Sequence, residues 1–149
     1  MGESFEKAKE EMKRADHLMY VSLKYTRTVD VLKSIVERLI NAFDFGLDAF
    51  FEKLKEQKKI AEIPTIPKVK ADTLKKLAED DYHLKNFLRL YLLLRKINKA
   101  EFSRAREYRR HVTMTAFLED AEIEITIDII FDYFDKTKEF LEYVQARIA

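Results

Sequence analysis

Arg104-Ala-Arg-Glu-Tyr-Arg-Arg-His111 runs directly into Val112-Thr-Met-Thr-Ala-Phe-Leu118, and after Glu119-Asp-Ala121 the chain continues Glu122-Ile-Glu-Ile-Thr-Ile127. Before this stretch apolar residues recur at helical steps; from Val112 the period becomes two. Val112, Met114, Ala116 and Leu118 alternate with Thr113, Thr115 and Phe117, and Ile123, Ile125 and Ile127 alternate with Glu122, Glu124 and Thr126. Two β-branched alternating runs around a three-residue polar break predict a hairpin over 112–127. The break holds no glycine, so a continuous helix is the competing reading.

Working outward, residues 3–26 read as a helix with Phe5, Ala8, Met12, Ala15, Met19 and Ser22 on one stripe, flanked by Leu18, Val21 and Tyr25. Residues 28–59 read as a longer helix whose buried face is Leu32, Ile35, Leu39, Phe43, Gly46, Phe50 and Leu54. Glycine within a helix costs about 1 kcal/mol against alanine, so Gly46 points to close contact with a bulky residue opposite. Pro64 and Pro67 predict an extended crossing over 60–70. Asp72 then reads as the N-cap of a helix over 73–97, with Leu74, Leu77, Leu84, Phe87, Leu88, Tyr91 and Leu94 as its stripe. A short helix from Glu101 carries the arginines. Asp128 caps a last helix with Ile130, Phe134, Thr137, Leu141, Val144 and Ile148 inside. The expected fold is one mainly α domain over 1–149, an antiparallel four-helix-type bundle with a small β-hairpin before the last helix.

Composition narrows the function classes. Charged residues make up 37% of the 149, against ~25% in an ordinary soluble domain. The 28 basic and 27 acidic side chains nearly cancel, so bulk charge predicts neither a nucleic-acid nor a membrane partner. Absence of cysteine excludes disulfides, thiolate metal sites and thiol catalysis. Two glycines, two prolines and abundant Lys and Glu resemble thermophile composition. No apolar run approaches the ~20 residues a membrane-crossing helix needs, and the N-terminus lacks a signal-peptide core and the myristoylation pattern, so a cytoplasmic protein is expected.

Local charge is uneven. Arg95 to His111 holds seven Lys or Arg against Glu101 and Glu107, whereas Glu119 to Glu142 holds nine acids against Lys136 and Lys138. Either the two surfaces neutralise one another, within a subunit or across a dimer, or the basic one faces RNA or a nucleotide phosphate. The first is the favoured reading, because the acids follow so closely. A second basic stretch, Lys53 to Lys76 with eight lysines and three acids, reads as a solvated helix end and loop.

An Arg followed after four to six residues by His, late in a helical bundle, resembles the motif of HEPN domains. Arg106 and His111 have four residues between them, Arg104 and His111 six. The order of helices is similar to that family's. The resemblance spans most of the chain and implies a metal-independent ribonuclease, or an RNA- or nucleotide-binding protein, acting as a homodimer whose motifs share a cleft. In that reading His111 is the acid/base and Arg106 or Arg104 stabilises the phosphorane charge. Arg109, Arg110, Tyr108 and Lys99 then contact the nucleic acid, with Tyr108 stacking a base. On an ideal helix Arg104 lies within ~20° of His111, while Arg106 is ~140° away unless the helix ends first. Where the family often carries Asn, Asp or another polar residue after the Arg, Ala105 and Glu107 stand here. Glu107 can instead pair with Arg110 or hydrogen-bond His111, and the cations can serve as a helix C-terminal cap.

Other constellations are weaker. A di-iron site needs two Glu-x-x-His pairs, and only Asp80-Asp-Tyr-His83 comes near. Glycines only at 2 and 46 rule out a phosphate loop. His17 reads as surface or structural. No metal and no cofactor are therefore expected. The alternative to RNA chemistry is a non-catalytic helical module that dimerises or binds a partner protein. A thin hairpin poorly buried within one subunit favours a dimer under both readings.

Overall fold

The computed structural model describes residues 2–149; the described residues are 70% helical, with five helices and a small three-stranded antiparallel sheet before the last. Helix α1 (Gly2–His17) continues through one π-helical turn, Leu18–Ser22, to Tyr25. Its buried residues run Phe5, Ala8, Glu11, Ala15, Met19, Leu23. The wide turn adds part of a residue to the period, so Leu23 takes the inward place that a regular helix gives Ser22. Buried Glu11 accepts from Arg38 at 3.1 Å and lies 3.4 Å from Arg14, which compensates its charge.

Helix α2 (Val29–Glu56) is the centre of the molecule, packing against α1, α4, α5 and β2. Thr28 caps it, its Oγ1 accepting from Val31 N at 3.3 Å. It is buried along Leu32, Ile35, Leu39, Phe43, Gly46, Phe50 and Leu54, as its periodicity predicts, and also at Val36, Ala42, Leu47 and Phe51 because helices cover several sides. A Cβ on Gly46 would lie 2.7 Å from Leu141 and 2.9 Å from Phe140, the bulky neighbours the glycine predicts. Phe43 stacks on Phe140 and meets Tyr91, and Phe87 meets Phe140 edge-on, knitting α2, α4 and α5.

The middle of the chain departs from the expected helix over 73–97. Helix α3 (Pro67–Leu77) begins at a proline rather than after one, since proline at the first helical position forfeits no hydrogen bond. Asp72 is inside it, not at its cap. The chain breaks at Ala78–Asp81, and Asp81 caps α4 (Tyr82–Lys99) by accepting from Leu84 N at 3.0 Å. Two separate helices can thus each turn an apolar face inward.

The short helix expected from Glu101 is a strand. Strands β1 (Glu101–Ala105), β2 (Thr113–Phe117) and β3 (Glu122–Ile125) pair in that order. Phe102, Ala116 and Ile123 stand in one row and Arg104, Met114 and Ile125 in the next. These rows form the inner face, where Met114, Ala116 and Ile125 are fully buried. The hairpin therefore finds its cover within the chain, which removes the argument that its poor burial favours a dimer. Thr126, not Asp128, caps α5 (Ile127–Ile148), accepting from Ile129 N at 3.3 Å. Among the described residues no helix is long and apolar enough to cross a membrane.

Candidate nucleic-acid interface

Arg106 to Val112 forms the loop between β1 and β2, beside the N-terminus of α2. Three contacts hold it there. Tyr108 N donates to the Arg27 carbonyl at 2.6 Å. Glu107 accepts from Val29 N at 3.0 Å, placing a carboxylate where the helix end favours negative charge. Arg104, on the inner face of the edge strand, donates to Asp30 at 2.8 Å, lies 3.6 Å from Glu107 and covers the Phe102 ring. Its hydrogen bond holds the Asp30 carboxyl below the usual carboxylate range. Arg106 and Tyr108 have φ of 54° and 65°, left-handed values that cost non-glycine residues energy and that cluster where a loop's shape is used.

The anchored loop projects its other side chains. Arg106, Arg109, Arg110 and His111 are exposed, and Tyr108 is 76% accessible. Only Arg104 of the four arginines forms an ion pair among the described residues. Among the described residues no acid between Glu119 and Glu142 pairs with the loop; the ion pair within that run is Asp132 with Lys136, and Glu119 and Asp120 border a cavity with Lys96 and Lys99. Of the favoured expectation, neutralisation within a subunit or across a dimer, the fold forms no ion pair between the two runs inside the subunit among the described residues.

The predicted site residues separate into three groups. Arg104 is a tether, spent on Asp30 and Glu107. Arg106, Tyr108, Arg109, Arg110 and His111 share the loop, without the helical spacing expected of Arg104 and His111, because no helix is there. His111 uses its carbonyl, to accept from Thr113 Oγ1 at 2.9 Å. Lys99 lies before the start of β1, a strand length of about 17 Å from the loop, and borders a shallow 530 Å³ cavity with Lys96, Phe117 and Asp120. Glu107 pairs with neither Arg110 nor His111.

Sequence reasoning missed what lies beneath the loop. Arg27 supplies the carbonyl for Tyr108, and its own Nε is buried without a partner. Tyr25, 77% exposed, stands two residues from that contact. The signal was present in Tyr25-Thr-Arg-Thr28, a polar joint with a helix cap, but nothing local ties it to a loop some 80 residues on. Among the described residues no cluster of three or more His, Asp or Glu has a metal-binding arrangement. Compared with known family models, curated proteins and solved structures, the chain gives no match.

Proposed function

We propose that this protein binds single-stranded RNA on the β1–β2 loop, with Arg106, Arg109 and Arg110 on phosphates and Tyr108 stacked on a base. The observation that carries this reading is the set of exposed, unpaired cations around an exposed aromatic ring, on a loop fixed by three tethers to α2 and its preceding joint. Unpaired bases offer the faces that such a ring stacks on, and phosphates suit guanidinium groups. The four long helices α1, α2, α4 and α5 serve as an antiparallel bundle, the platform that keeps the loop in place.

Each phosphate contact to a single strand contributes about −0.7 to the slope of log affinity against log salt. Replacing Arg106, Arg109 and Arg110 by alanine should therefore weaken binding of a labelled single-stranded RNA and flatten that slope by about 2. Tyr108→Ala should cost about 1–3 kcal/mol of binding. Fluorescence anisotropy over a salt series measures both; unchanged affinity in the triple variant would sink the reading.

A second reading is metal-independent cleavage by a HEPN-like homodimer. It is favoured by His111, an exposed imidazole beside Arg106, Arg109 and Arg110. Here His111 takes the 2′-hydroxyl proton and Arg106 steadies the phosphorane charge. RNA cleavage in chelator that disappears in His111→Ala supports it. Binding without cleavage leaves a binding module.

A further inference from the structure

At the end of α2 opposite the arginine loop, about 42 Å along the helix, lies a cavity that RNA binding does not use. Its volume is about 420 Å³, within the range of small-molecule sites. The C-terminal ends of α2 and α5 and the α3–α4 break enclose it. Leu77, 47% exposed, and half-buried Ala78 supply its open apolar wall, over the buried Phe50, Leu54, Leu74 and Leu84.

The rim is cationic. Lys53, Lys59 and Arg147 border the cavity, and Asp81 is its one acid. That acid is already occupied: it accepts from Leu84 N at 3.0 Å and from the Tyr143 hydroxyl at 2.5 Å, with Arg147 at 3.8 Å. Arg147 lies flat on the Tyr143 ring, 3.4 Å from its centre. Lys53 and Lys59 have no ion-pair partner among the described residues. Lys59 owes its position to the stop of α2. Lys58 turns left-handed at φ 61°, and Lys58 N and Lys59 N close the helix on the carbonyls of Lys55 and Leu54.

We infer that this cavity binds a small organic anion with an apolar body, such as a medium-chain carboxylate. Its tail lies against Leu77, Ala78 and the rims of Phe50 and Leu54, and its head between Lys53, Lys59 and the edge of Arg147. A neutral apolar ligand would leave the rim charges unused, and a bare inorganic anion would leave the walls wet. Charge and apolar surface together select the amphiphile. This site is independent of the RNA reading, and either can fail alone.

Decanoate, 1-decanol and anionic phospholipid vesicles distinguish the possibilities, using calorimetry and chemical-shift mapping on the full chain. Saturable one-to-one binding of decanoate is expected, with shifts centred on Leu54, Leu77 and Ala78. Decanol should bind at least tenfold more weakly. Lys53→Ala with Lys59→Ala, both on the rim, should lower decanoate affinity about tenfold while leaving the circular dichroism spectrum unchanged. Equal binding of decanol, unaltered affinity in the double variant, or binding to vesicles without binding to monomeric decanoate would each overturn the proposal.

Discussion

Lys58, Arg106 and Tyr108 occupy the left-handed region with φ of 61°, 54° and 65°, and none is a glycine. A side chain there costs about 1–2 kcal/mol. At Lys58 the conformation serves the closing turn of α2, a position that glycine commonly fills. Lys58→Gly should therefore raise stability by about 1 kcal/mol, read as a higher urea midpoint at unchanged slope. A loss of stability would mean that the lysine side chain makes up for its backbone. At Arg106 and Tyr108 the same strain shapes the loop that presents the cations. The Tyr108 conformation was not legible in the sequence, because its backbone bond runs to the Arg27 carbonyl some 80 residues away, whereas that of Lys58 belongs to a local turn closed on Leu54 and Lys55.

At the scale of elements, periodicity carried α1, α2 and α5 well, since each keeps an apolar stripe over several turns. It failed where two successive helices share one continuing stripe. Leu74, Leu84, Leu88, Tyr91 and Leu94 are all buried, yet Ala78–Asp81 interrupts the helix between the first two. The break is set by Asp81, which caps α4 and also receives the Tyr143 hydroxyl from α5. A local pattern cannot see the second of these. Gly46 is the opposite case, a single residue from which close packing was readable. Gly46→Ala should destabilise the protein by about 1–2 kcal/mol, because overpacking costs about 1–3 kcal/mol and outweighs the helix propensity gained. Thermal or urea unfolding checks this. A stabilised variant would show that Leu141 and Phe140 yield without strain.

For the whole molecule, two phenols, buried Tyr91 and half-buried Tyr143, tie helices together and make stability depend on pH. Tyr91 on α4 donates to Asp44 on α2 at 2.5 Å, with Arg95 3.0 Å from the same carboxylate, and Tyr143 on α5 donates to Asp81. Burial, then the adjoining carboxylate, pushes both phenols above their ordinary value of 10.0. The folded state thus keeps protons that the unfolded chain releases near pH 10. Their contribution is fully present below about pH 10 and falls as pH rises beyond it. Urea midpoints should be flat to about pH 9.5 and decline above it, more gently in Tyr91→Phe and Tyr143→Phe. An equal decline in both variants and the parent would rule these phenols out as its cause.

By itself the sequence determined the helical class, the buried stripes, the change of period at Val112 and the loading of one segment with arginines, because each is written in neighbours a few residues apart. The tertiary structure alone decided that this segment is a loop and that Arg104 is tied down while Arg106, Arg109 and Arg110 stand free. It also decided that, among the described residues, none of the loop's arginines pairs with an acid of the following run. Arg104 meets Asp30 and Glu107 meets Val29 across more than 70 residues of chain. Such pairings exist only once the sheet has closed against the start of α2, so no local pattern records them.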